Sequence, residues 1–222
     1  MYYIQSDPHN LKVQHKEYFN NFEEAQKNIQ IAIKNAPEQP IFHSNYGALL
    51  HSMGKHQEAV GVLEQSIKLD SKLFQSHYSL GIVYSDMNEN EKAVESYYKA
   101  LEINNESAAA HNNLANLFSN TNNPEAEYHY KQLVELEPNK VYPRLNMANY
   151  YIKQDKFKEA ITLLDELVDM GIATKEVYNS LGVSHKGLDD TKNAILMFEE
   201  AIKLDSNFVL ANENLKLLKN KN

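Results

Sequence analysis

The apolar positions of this chain fall at helical spacing, and the whole pattern recurs every 34 residues. The clearest copy is 74–107, FQSHYSLGIVYSDMNENEKAVESYYKALEINNES. Leu80, Gly81 and Tyr84 share one face of a first predicted helix. Ala93, Tyr97 and Ala100 share one face of a second, and a polar turn lies between. With Phe74 as position 1, the landmarks fall at positions 4, 7, 8, 11, 20, 24, 27 and 28. Two helices this short cannot bury their apolar stripes alone, so the unit needs copies of itself alongside.

The copies are present on both sides. Residues 40–73 carry His43, Tyr46, Gly47, Leu50, Ala59, Leu63, Ser66 and Ile67. Residues 6–39 carry Ala25, Ile29, Ala32, Ile33 and Pro37 at second-helix positions, behind a degenerate first helix with Lys12 and Val13 at the large and small landmarks. Residues 108–140 carry His111, Leu114, Ala115, Phe118, Ala126, Tyr130, Leu133 and Pro138. This copy is one residue short, and the deletion falls in the turn SNTNNPEAE, where it costs least. Pro124 suits the first turn of the helix that follows. Residues 141–174 carry Met147, Ala148, Tyr151, Ala160, Leu164 and Leu167; residues 175–208 carry Tyr178, Leu181, Gly182, His185, Ala194, Phe198 and Ala201. The tail, 209–220, repeats only a first helix. Ala211, Leu215 and Leu218 face inward and Lys216, Lys219 and Lys221 face water, as a terminal cap requires. Gly or Ala at position 8 (Gly47, Gly81, Ala115, Ala148, Gly182) and Ala at position 20 (Ala25, Ala59, Ala93, Ala126, Ala160, Ala194) let paired helices approach closely.

This pattern resembles the tetratricopeptide repeat (TPR) family, whose signature is W-x2-L-G-x2-Y, then A-x3-F, then P. Position 4 is never Trp here, and the closing Pro survives only as Pro37 and Pro138. The resemblance implies an all-α fold, a right-handed superhelical solenoid of antiparallel helix pairs with a C-terminal capping helix. Residues 1–222 then form a single array, with repeats at about 6–39, 40–73, 74–107, 108–140, 141–174 and 175–208 and the cap at 209–220.

Composition narrows the function. The net charge is −8 and no basic run occurs, so a nucleic-acid partner is not expected. The start, MYYIQSDPHN, lacks the basic and apolar regions of a signal peptide, and no apolar stretch reaches membrane-spanning length. A cytoplasmic protein with no membrane insertion is the expectation. Cysteine is absent, which removes thiol nucleophiles and disulfides. No H-E-x-x-H, P-loop, G-x-G-x-x-G or G-x-S-x-G occurs. No catalytic residue, cofactor or metal is expected, and the chain does not read as an enzyme. His9, His43, His77 and His111 form a ladder at position 4. A metal site is one reading, but neighbouring repeats lie roughly 10 Å apart, too far for two imidazoles to share an ion easily. Packing is the favoured role. Asp189 with Asp190 and Glu199 with Glu200 read as solvated faces and turn caps. Tyr84, Tyr97, Tyr98, Tyr128, Tyr130 and Tyr151 read as core or convex-face residues.

The resemblance further implies that first helices line a concave groove, with positions 2, 5, 6, 9, 12 and 13 pointing inward. Of the eighteen sites at positions 5, 6 and 9 of the units starting at 40, 74, 108, 141, 175 and 209, eight are Asn, where composition alone gives about two. They are Asn45, Asn112, Asn113, Asn116, Asn146, Asn149, Asn179 and Asn214; Tyr78 occupies position 5 of the model unit. Asn both donates and accepts, so such a row can clamp the backbone of an extended peptide. It is similar to the asparagine ladder in the TPR region of O-linked N-acetylglucosamine transferases. The Lys and Asn set with which other TPR domains hold the C-terminal carboxylate of heat-shock chaperones is missing. Position 2 holds Ile41, Gln75, Ala109, Tyr142 and Glu176, and Lys153 and Lys186 are the few inward cations. Leu210 and Leu217 fall on the groove side of the last helix. Two functions fit: a non-enzymatic scaffold that holds a segment of another protein, or the substrate-recognition region of a larger glycosyltransferase or sulfotransferase. An open reading frame continuing past Asn222 favours the second. Self-association through exposed end helices is a further expectation.

Overall fold

A computed structural model describes the backbone of residues 8–219 and the side chains from residue 21 onward. The described residues form twelve α-helices and no strand. They divide into two compact units, Met1–Ala110 and His111–Asn222. The first holds α1 (Pro8–Asn35), α2 (Pro40–Ser52), α3 (His56–Leu69), α4 (Phe74–Asp86) and α5 (Asn90–Ile103). The second holds all but the opening residues of α6 (Ala108–Asn120), then α7 (Glu125–Leu136), α8 (Val141–Lys153), α9 (Phe157–Asp169), α10 (Lys175–Gly187), α11 (Thr191–Leu204) and α12 (Val209–Lys219). From α2 onward the boundaries follow the 34-residue register, and the architecture is a helical-repeat solenoid.

Each unit's helix pair is set by a small residue facing a large one. A methyl group added at Gly47 would meet Leu63 Cγ at 2.4 Å. At Gly81 it would meet the Tyr97 ring at 2.6 Å, and at Gly182 the Phe198 ring at 2.5 Å. In these three repeats the side chain at position 24 lies directly against the glycine backbone at position 8. Position 20 is equally tight: Ala59, Ala93, Ala126, Ala160 and Ala194 are each 0% exposed.

The turn inside each repeat ends on a left-handed residue at position 15: Gly54, Asn88, Asn122, Asp155 and Asp189, with φ between 53° and 74°. These are the residue types that enter this region at least cost. The following N–H then reaches back to the carbonyl at position 11, as in Lys55 to Leu50 at 2.9 Å, Glu89 to Tyr84 at 2.8 Å and Asp190 to His185 at 2.9 Å. This closes a Schellman cap on the first helix. Asn88→Val should therefore cost about 1–2 kcal/mol in urea unfolding, while Asn88→Gly should be neutral or stabilising. Equal losses for both would show that position 15 needs the Asn side chain instead of its backbone freedom.

The short repeat shows where its missing residue went. In the other units the Ala at position 20 donates four residues back, as Ala59 does to Lys55 and Ala93 to Glu89, each at 3.0 Å. Ala126 instead donates three residues back, to Asn123 at 3.1 Å. One tighter turn at Pro124 absorbs the deletion and leaves Ala126 fully buried.

The first repeat departs from expectation. A helix pair is predicted over 6–39, but residues 8–35 form the single helix α1. Folding the first half back would bury Lys12 at a large apolar landmark and put branched Val13 where close approach needs Gly or Ala. With no first helix to cover it, Ala25 is exposed, which corrects the close-packing role expected of it. The second half of α1 still packs on α2, where Gln26 and Gln30 both donate to the Tyr46 hydroxyl at 3.0 Å. At the other end, α12 closes the C-terminal unit as expected. Ala211 and Leu218 are buried with Ala194, Phe198 and Ala201, and Leu215 packs against them. Lys216 and Lys219 are exposed, and Lys221 lies outside the described residues.

Candidate functional site

The row of asparagines is built on the first helices of the C-terminal unit, and its members are joined to one another. Asn146 on α8 donates to Asn112 Oδ1 on α6 at 3.3 Å. Ser180 on α10 donates to Asn149 Oδ1 on α8 at 2.9 Å. Asn214 on α12 donates to Asn179 Oδ1 on α10 at 3.2 Å. Asn116 Oδ1 accepts from the Tyr130 hydroxyl at 2.8 Å. Asn112 and Asn116 sit one turn apart on α6, as do Asn146 and Asn149 on α8, so each helix presents its pair on one face. Asn116 and Asn149 are exposed; Asn112, Asn113, Asn146, Asn179 and Asn214 are half-buried.

Two partners in this row, Tyr130 and Ser180, lie outside the asparagine pattern. Ser180 holds position 6, where neighbouring repeats have Asn113, Asn146 and Asn214, so its place in the row was readable. The Tyr130 ring is buried at 4% exposure and belongs to the core. Only its hydroxyl reaches position 9, and burial raises that hydroxyl's pKa.

Asn45 and Tyr78 belong to the N-terminal unit. Asn45 is exposed on α2. The Tyr78 ring stacks on Phe74 at 5.6 Å and meets Tyr97 at 5.8 Å, so its ring belongs to an aromatic cluster with core residues. The same unit has a cleft of about 540 Å³ between α3 and α5, floored by Ile67, Leu80 and Tyr84. Its charged rim is partly satisfied internally, by Lys99 on Glu95 at 2.7 Å and Lys92 on Glu89 at 2.5 Å.

Two members of the histidine ladder hold the turns between repeats. His43 Nε2 donates to the Pro37 carbonyl at 2.8 Å and His77 Nε2 to the Ser71 carbonyl at 3.0 Å. Arg144 and Asn212, at the same position 4, donate to the Pro138 and Ser206 carbonyls. At these four places position 4 supplies a donor that caps the turn between repeats, as imidazole, guanidinium and amide each can. Asp70, Asn104 and Asp205 brace the same turns by accepting from the N–H two residues on. His9 lies in the part of α1 whose side chains are outside the described residues. At His111, Nδ1 lies 2.9 Å from Nδ1 of the fully buried His129. Burial, reinforced by His111, pushes the His129 imidazole down to about 4.

A second polar cluster ties α7 to α8. Glu127 accepts from the Tyr151 hydroxyl at 3.1 Å and from Lys156 at 3.2 Å, and pairs with Lys131 at 2.8 Å. The lysines hold its carboxyl below the usual range, while burial and this carboxylate push the Tyr151 hydroxyl up to about 12. Among the described residues no three His, Asp or Glu side chains converge on a point that could hold a metal. Nor is any described helix long and apolar enough to cross a membrane.

Comparison with known proteins agrees with this geometry. Tetratricopeptide repeat models match residues 11–73, 74–107, 117–171 and 175–208. No curated protein matches the sequence. Among solved structures, the chain is similar to YrrB, a TPR protein with an unusual peptide-binding site, at 21% identity and a TM-score of 0.72, covering 85% of this chain and 97% of that one. It is similar to PilF of Pseudomonas aeruginosa at 15% identity and a TM-score of 0.71, covering 94% of each chain. It is also similar to MamA at 18% identity and a TM-score of 0.70, covering 77% of this chain and 93% of that one. With the small-to-large helix pairing, the recurring turn and these matches along most of its length, the chain belongs to the tetratricopeptide repeat family.

Proposed function

We propose that this protein is a non-enzymatic scaffold that holds an extended segment of another protein against the first helices of its C-terminal unit. The observation that carries the reading is the amide row. Asn112, Asn116, Asn146, Asn149, Asn179 and Asn214 lie on successive first helices, with Asn113 beside them. Each of the six uses one end of its amide inside the protein, and an amide so anchored has its other end set in direction before a ligand arrives. Ordering cost is then already met in the free protein, which favours main-chain recognition. The likeness to YrrB, described as having a peptide-binding site, supports the same reading. Lys153 and Lys186 on this side are offset by Glu176 and Glu213, so no strongly acidic segment is called for.

The test is affinity for a partner segment recovered by pull-down and peptide mapping. Replacing both Asn146 and Asn149 with Ala should weaken that segment at least tenfold. It should also lower the melting midpoint by a few degrees, because two links between repeats are lost. Unchanged affinity in this variant would sink the reading.

A further inference from the structure

The second half of α1 leaves open a face that every later repeat closes. Ala25 stands at position 20, Ile29 at position 24 and Ala32 at position 27. At position 24 the later repeats carry Leu63, Tyr97, Tyr130, Leu164 and Phe198, none more than 4% exposed. At position 27 they carry Ser66, Ala100, Leu133, Leu167 and Ala201, all 0% exposed. In the first repeat Ala25 is exposed, and Ile29 and Ala32 are half-buried. Elsewhere the first helix of the same repeat does the covering, as where Leu63 lies on the Gly47 backbone. Here residues 8–35 form one helix, which packs on α2 by an adjacent side through Gln26 and Gln30. We propose that a second copy of this chain supplies the missing helix, the two α1 helices pairing antiparallel about a two-fold axis.

Four features of α1 point to its own copy as the occupant. The first is length. The stretch of α1 ahead of the open face, 8–20, has the thirteen residues of α2, α4, α6, α8 and α10. The second is register. Leu11, His15 and Tyr18 continue in sequence the alternating three- and four-residue spacing of Phe22, Ala25, Ile29 and Ala32, which makes one heptad seam along α1. Folded back on its own chain through a turn, 8–20 would present Lys12 and Val13. A helix from another chain has no such tether and can turn the Leu11 and Tyr18 side inward. Antiparallel pairing then sets Leu11 against Ile29, His15 against Ala25 and Tyr18 against Phe22, and the two-fold axis repeats each meeting.

The third feature is charge. A parallel pair would set Lys12, Lys16, Glu17, Glu23 and Glu24 each beside its own copy. The antiparallel pair sets Lys16 across from Glu24 and leaves Glu17 with Glu23 as its one like-charged meeting. The fourth is area. Eight large apolar side chains enter the seam, four from each copy; at roughly 100–150 Å² apiece they bury about 800–1,200 Å², which reaches what a specific interface needs.

The experiment uses the full chain in sedimentation equilibrium between 1 and 100 µM. It should sediment at twice the monomer mass. Ala25→Glu places a charge in the middle of the seam at a residue exposed in the single chain. It should raise the dimer dissociation constant at least tenfold and leave the monomer's helical signal intact. Lys27→Glu, on the opposite side of α1, should leave the dimer unchanged. Because the chain lacks cysteine, thiols can report the pairing. A mixture of the single variants Leu11→Cys and Ile29→Cys should form the mixed disulfide on mild oxidation. A monomer at every concentration overturns the proposal, as does a dimer indifferent to Ala25→Glu. Like-with-like crosslinks would show parallel helices and overturn the antiparallel pairing. A disulfide within one chain of the double variant would show 8–20 folded onto its own repeat, and this also overturns it. None of these residues belongs to the amide row, so each outcome leaves the groove reading to its own test.

Discussion

Ala93→Leu lowers the thermal midpoint by roughly 2–10 °C, the range that about 1–3 kcal/mol of overpacking gives in a chain of this size. Ala93 is 0% exposed on α5, in a helix pair where the Gly81 backbone already lies against the Tyr97 ring. Three added carbon atoms have nowhere to go unless α4 and α5 separate. The exposed Ala48 on α2 is the control, because Ala48→Leu adds the same atoms to an uncovered position and should leave the midpoint nearly unchanged. The contact also has a partner-specific check. Gly81→Ala places its methyl 2.6 Å from a ring that is itself 2% exposed, and should destabilise on its own. Combined with Tyr97→Ala, the same methyl should cost less, because no large side chain then occupies its place. Differential scanning calorimetry reads all four variants. An unchanged midpoint in Ala93→Leu would refute the repeat register.

Lowering the pH from 7.5 to 5 removes about 2 kcal/mol of stability through His129 alone. The sign follows from its depressed pKa. The folded imidazole titrates at about 4, against 6.5 when exposed, so the unfolded chain binds more protons between those values. This contribution is fully present above about pH 6.5 and is lost progressively as pH falls toward 4. The protein should melt several degrees lower at pH 5 than at 7.5. The carboxylates with lowered pKa, Glu95, Glu127, Asp190 and Asp205, stay ionised through most of this window and add their own losses only further down. His129→Phe keeps a flat ring beside Phe118, which stacks on the imidazole at 5.7 Å, and removes the titrating group. Its midpoint should vary less between the two pH values. An equal drop in wild type and variant would place the sensitivity elsewhere.

Much of this molecule was legible because its packing is local. A Gly at position 8 and a large residue at position 24 of the same repeat are linked by one turn, so a single 34-residue window contains both halves of the contact. The register marked Gly81 and Gly182 as sites of close approach, and the structure puts Tyr97 and Phe198 of the same repeats against them. The first repeat was not legible in this way. Its landmarks Ala25, Ile29, Ala32 and Ile33 continue the second-helix pattern, and whether the residues before them fold back depends on what Lys12 and Val13 would have to touch. The histidine ladder was visible as a pattern, but its role became clear only when Arg144 and Asn212 proved to make the same bond to a turn carbonyl. The asparagine row was legible as composition on a face. The bonds that hold it were not, because partners such as Tyr130 and Ser180 belong to other helices or lack the amide altogether.

The left-handed residue at position 15 also bears on how the chain reaches this structure. Each Schellman cap forms among residues at most five apart, so every first helix receives its stop signal before any other repeat is present. Helix pairs then close over a separation of one turn, and neighbouring repeats over about one period. No step in either unit has to bring distant parts of the chain together, so little loop-closure entropy stands in the way. Folding can begin at whichever repeat first closes its small-to-large contact and spread outward by addition.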